Sequence, residues 1–194
     1  MTRYTQVFED MVRTFFGDFL ELVEPGLVAR LGAEAVIFRH RDELAHWPEE
    51  ERRDLGLLAE ILTCHGEWRT ILVQVEAEAG DPARLEEKLL GWYLRLAVED
   101  RQPVRVIAVH LRGGEPGLSR RWIVDEVDGE ELLRIPYLAF GLEECRAEDF
   151  LAKPQPLAWA LASLMRPTRR SRAAHTRACL RRIAGWAAGE LTAR

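Results

Sequence analysis

Lysine is almost missing from this chain. Lys88 and Lys153 are the only two in 194 residues, so arginine carries nearly all the positive charge. Cysteine is nearly as sparse, and Cys64, Cys145 and Cys179 form neither a CxxC pair nor an even set, which argues against a zinc site and a disulfide framework and fits a reducing cytoplasm. The five histidines (40, 46, 65, 110 and 175) show no HxxxH or HxH spacing, so a histidine-based metal site is not expected, and a lone His110 inside a strand reads as a core residue. No G-x-S-x-G, Walker or G-x-G-x-x-G stretch occurs, which removes the common hydrolase, nucleotide and dinucleotide sites. No uncharged apolar run approaches the roughly 18 residues of a membrane span. Arg3, Glu9 and Asp10 interrupt any apolar core of a signal peptide, so no membrane partner is expected. What remains, 47% hydrophobic with 30% charged residues, is the composition of a globular protein able to bury one good core.

The net charge of -5 hides an uneven spread. Residues 151 to 194 hold nine basic side chains and one acid, a net of +8, which leaves -13 on residues 1 to 150. The basic residues cluster as Arg166, Arg169, Arg170, Arg172, Arg177, Arg181 and Arg182. A basic cluster on an acidic body suits a phosphate backbone. An Arg-rich solvated helix face, or one that docks on the acidic body or on a second subunit, accounts for it equally well.

The stretch from Arg52 to Ala79 reads as two strands joined at Cys64-His65-Gly66. A three-residue connection with Gly66 in the left-handed position pairs Thr63 with Glu67. Carried along the ladder, that register sets Asp54 opposite Glu76, on one face with Gln74 and Glu78, while Val73, Val75 and Ala77 take the apolar face. Opposed carboxylates about 5 Å apart call for a compensating cation or a shared proton. The alternative is two solvated acids at a strand end, and a one-residue slip would separate their faces.

Arg53-Asp54-Leu55, Gly66 and the run Val73-Gln74-Val75-Glu76-Ala77-Glu78 resemble the core of the PD-(D/E)XK nuclease-like superfamily, nearest to its bacterial recombination-promoting nuclease and transposase group. The likeness extends more loosely from Phe8 to about Met165. It implies a restriction-endonuclease-like α/β fold, a mixed sheet flanked by helices, acting as a Mg²⁺- or Mn²⁺-dependent DNA endonuclease. The metal would be held by Asp54, Glu76 and the carbonyl of Ala77, with Glu9 of the first helix as a further acid. The superfamily has Lys, or Gln in this branch, two residues after the Glu, and this chain has Glu78, which would serve as a third ligand or as the base. Several branches take the missing cation from the next helix, where Lys88 matches an Arg and Trp92 a Tyr of the resembled "RMxxY" segment. An ordinary surface lysine paired along its helix is the other reading of Lys88. Arg166, Arg169, Arg170, Arg172 and Arg177 would contact DNA. The alternative function is a catalytically impaired member of the fold that binds DNA or assembles, and a homodimer whose basic tail docks on its partner is a third.

Along the chain, three-and-four spacing predicts one helix from Tyr4 to Val23, followed by a short helix from Gly26 to Leu31 and a strand from Ala35 to Arg39. Residues 48 to 53 read as an exposed loop. Asp81 caps a helix to Glu99 with Leu85, Leu89, Trp92, Leu96 and Val98 as its stripe, and Pro103 to Leu111 is a buried strand parallel to the one before. Trp122 to Val127 and Leu133 to Leu142 add strands around an Asp128-Gly129 turn. Residues 1–152 then form the nuclease-like domain, and 153–194 a basic helical extension packed on it.

Overall fold

A computed structural model describes residues 3–32, 35–167 and 171–192. The architecture is a six-stranded mixed sheet between two layers of helices. The chain opens with α1 (Arg3–Thr14), α2 (Phe16–Val23) and α3 (Leu27–Leu31), then β1 (Ala35–Arg39). A 3-10 turn at Arg41–Leu44 and α4 (Glu49–Asp54) lead into the hairpin β2 (Leu57–Leu62) and β3 (Trp68–Glu76). The crossover helix α5 (Pro82–Asp100) returns the chain to β4 (Val104–His110), and β5 (Gly117–Val127) and β6 (Glu130–Gly141) form a second hairpin. Three helices finish it: α6 (Ala147–Leu151), α7 (Pro156–Ala162) and α8 (Arg172–Thr192). The sheet order is β1-β2-β3-β4-β6-β5, with β3, β4 and β6 parallel.

The hairpin register is the one the glycine turn predicts. Leu57 pairs with Val73 and Leu62 with Trp68, the Thr63 amide donates to Glu67 O at 2.9 Å, and Gly66 has φ +77°. Both faces of its strands are buried, not one. Ala59, Ile61, Ile71, Val73 and Val75 pack on α1, α2, α7 and α8, while Leu58 and Leu72 pack under Leu85, Leu89, Trp92 and Leu96 of α5. A strand in the parallel middle of a sheet must be apolar on both sides, so only its end is free to be acidic. The α5 amide of Ala83 bonds the Asp81 carboxylate at 3.0 Å, the cap the sequence predicts. Val98 leaves the stripe and is 73% exposed near the helix end.

Three other expectations change. The first helix is two, parted at Phe15, whose ring meets Trp186 of α8 edge-on at 5.9 Å. Residues 48 to 53 are no loop: Pro48 precedes a helix with three glutamates in its first turn and two arginines in its last, each sign matching the local helix dipole. Asp54 therefore ends α4 and does not pair with Glu76, because the ladder stops at Leu57 and Val73. Between them Gly56 is required, since a Cβ there would lie 2.1 Å from Val73 O. Among the described residues no helix is long and apolar enough to cross a membrane.

Candidate functional site

In open α/β sheets the carboxyl ends of parallel strands collect loops and side chains. Here Glu76 ends β3 and His110 ends β4, and the two are direct neighbours in the ladder, so their side chains share a face. The segment after Glu76 turns away to begin α5, and the segment after His110 folds back over it. A Cβ on Gly114, at φ +76°, would stand 2.9 Å from the imidazole, so only glycine lets the loop lie this close.

A cleft of about 370 Å³ runs along this end of the sheet, lined by Thr5, Glu9, Arg53, Asp54, Gln74 and residues 75 to 80, with Lys88 opposite. A second lobe of about 400 Å³ shares Glu76, Ala79, Gly80 and Lys88 and continues past Asp81, Arg84, His110 and Gly114. Glu9, Asp54, Glu76, Ala77, Glu78 and Lys88, singled out in the sequence, all line this one cleft. Lys88 is not tied to its own helix: its Nζ donates to Asp54 Oδ2 at 2.9 Å, 34 positions away. That hydrogen bond holds the Asp54 carboxyl below its ordinary range, against a small opposing effect of burial.

Glu76 has a different partner. Gln74 Nε2 donates to Glu76 Oε1 at 3.0 Å, and the amide's own oxygen is buried with no partner. Glu9 is 6% exposed, and burial raises its pKa although the guanidinium of Arg41 lies 3.3 Å away. Arg41 also donates to the carbonyl of Leu55 at 2.7 Å, which couples the Glu9 wall to the turn between α4 and β2. His110 is half-buried and has no side-chain hydrogen bond among the described residues. Burial lowers its pKa, with Glu76 pulling the other way, so it presents a neutral imidazole at neutral pH. The sequence reading placed His110 correctly in a strand but took it for a core residue, whereas it is half-buried. The predicted strand already ends near it, but only the pairing of β4 with β3 sets it beside Glu76.

The unpartnered Gln74 oxygen is buried against Gly56; the candidate donors lining the cleft are two hard carboxylates, Asp54 and Glu76. Mg²⁺ commonly takes one or two carboxylates and fills its shell with water and substrate oxygens, so these residues fit such an ion. Among the described residues, no three of His, Cys, Asp and Glu stand close enough to form a ready metal cage. Glu78 is exposed and opens onto a neighbouring recess of about 320 Å³, with Ala77, Arg112, Glu143 and Arg172 on its walls. Arg172 is the predicted DNA contact that reaches this end of the sheet. Arg166 pairs with Glu144 at 3.1 Å, Arg177 is exposed farther along α8, and Arg169 and Arg170 lie outside the described residues. No family model, curated protein or solved structure matches the chain.

Proposed function

We propose that the cleft is a metal-dependent phosphodiesterase site acting on DNA, on a restriction-endonuclease-like variant of the α/β fold. The observation that carries this reading is the meeting of Asp54, Glu76 and Lys88, from three separate elements, at the carboxyl end of a parallel strand. Asp54, Glu76 and the Ala77 carbonyl would hold Mg²⁺ or Mn²⁺, with Glu9 behind them. A divalent cation, when bound, supplies Lewis-acid charge to a phosphate oxygen and makes a bound water more acidic.

The chain's own groups would do the rest. Lys88 neutralises Asp54 in the free protein and, with the acid otherwise engaged, is free to turn to the negative charge that grows on phosphorus. Gln74 fixes the orientation of Glu76 through its amide. Glu78, exposed beside the cleft, is the carboxylate available to accept a proton from the attacking water. Arg172 and Arg112 on the adjoining recess offer positive charge to the flanking backbone.

The test is Mg²⁺ and Mn²⁺ calorimetry on the native chain and on Asp54→Ala, alongside nicking of a supercoiled plasmid. Binding and nicking by the native chain alone are the expected result. Metal binding without nicking would trace the defect to Glu78. If neither protein binds metal, the reading fails. The Lys88–Asp54 pair itself favours a second reading, a metal-free DNA binder with a self-neutralised cleft, whose affinity would fall steeply with salt.

A further inference from the structure

The free edge of β5 exposes both apolar residues and unpaired charges. This strand runs 11 residues and has β6 on one side only, so a full row of backbone donors and acceptors faces outward. Exposed edges are usually blunted by brevity, proline or scattered charge. β5 instead exposes Trp122 and Val124 at its centre, at 41% and 42%. Its centre also has an ordered charge pattern, Arg120-Arg121-Trp122-Ile123-Val124-Asp125-Glu126: two cations, three apolar residues, two anions. Among the described residues, Arg120, Asp125 and Glu126 have no ion pair or side-chain hydrogen bond within the chain.

We infer that the chain forms a twofold dimer by antiparallel pairing of β5 with β5 of a second copy, Ile123 facing Ile123, so that the two sheets become one of twelve strands. Residues opposed in a ladder share a face, and a twofold axis normal to the sheet keeps each face on its own side. The paired numbers must therefore add to an even value. Centred on Ile123, the register sets Arg121 against Asp125, Arg120 against Glu126 and Trp122 against Val124. Shifting the centre to Trp122 sets Arg121 against Ile123 and Arg120 against Val124, with Asp125 and Glu126 left opposite Ser119 and Leu118; shifting it to Val124 sets Arg121 against Val127, Asp125 against Ile123 and Glu126 against Trp122. Opposite charges and an aromatic beside a β-branched residue are favourable cross-strand pairs. The unpaired side chains of Arg120, Asp125 and Glu126 find partners in this one arrangement, and Asp125 joins the Glu115 that Arg121 already holds at 3.0 Å. The bulge opposite Asp125 and Glu126 lies at the end of the paired segment, where extra twist costs little. The inference does not depend on the chemistry of the cleft.

Sedimentation of the full chain over a concentration series is expected to show a dimer. Arg120→Glu and Glu126→Arg each create two like-charged pairs across the axis, and each should weaken the dimer on the order of tenfold or more. Both side chains are exposed, so neither change disturbs the core. An equimolar mixture of the two variants should recover the dimer, because every pair is again of opposite sign. The double variant, with both changes in one chain, should dimerise as the native protein does. A monomeric native chain, a dimer indifferent to both single variants, or a double variant that stays monomeric would each overturn the proposal.

Discussion

Glu9 and Asp54 line one cleft, bonded to Arg41 and Lys88 respectively, yet their carboxyls shift in opposite directions. Glu9 is 6% exposed on the helix wall, and loss of water outweighs the attraction of Arg41. The Asp54 side chain is 51% exposed on the other wall, and the bond from Lys88 outweighs a slight loss of water. The contrast shows that solvent, more than the presence of a cation, decides the sign of a carboxylate's shift. It also separates the two walls: one is a buried brace from α1 to the β2 entry, the other a solvated ion pair.

The largest effect should come from cutting the dry wall. Arg41→Ala removes the ion pair to Glu9 and the bond to Leu55 O together, and should cost about 3 kcal/mol in urea unfolding with the slope unchanged. A loss under about 0.5 kcal/mol would mean that Glu9 simply takes a proton and that the brace is dispensable.

A smaller effect, visible as a slope, belongs to Glu9→Gln. The folded pKa of Glu9 lies above its ordinary 4.5, so as pH rises through that value the unfolded chain releases its proton first. The native protein therefore loses stability over that window, and the variant should not. His110→Gln gives the reverse slope at higher pH. Its folded pKa lies below 6.5, so as pH falls through 6.5 the unfolded chain takes up the proton first and native stability declines, a decline the variant should lack.

The smallest effect is at the wet wall. Asp54→Asn should cost under about 1 kcal/mol, less at high salt, because the pair is largely solvated. Its contribution is present above pH 3.8 and is lost as pH falls through the lower folded pKa, opposite in slope to Glu9. Titration of both carboxyls by NMR would check the two directions at once.

The hairpin register was legible because Gly66 pins a three-residue turn, and the crossover because a strand, a capped helix and a second apolar strand follow in order. The helix at 49 to 54 was hidden because its six residues are all charged and carry no apolar period. That omission propagated, since it made Asp54 a ladder partner of Glu76 when its partner is Lys88. Hairpin spacing marked Asp54 and Glu76, and the family resemblance added Lys88, but Asp54 and Lys88 lie 34 positions apart and no local rule reports such a contact.

By itself, then, the order of residues determined the local periodicities, the turn glycines, the helix cap and the segregation of charge toward the C-terminus, because each arises from neighbours within a few positions along the chain. Tertiary structure alone decided that Glu9 is dry and Asp54 wet, that His110 stands beside Glu76, and that β5 is left at an edge. Those follow from which layers cover which strand ends, and burial of that kind is set by parts of the chain far away in sequence.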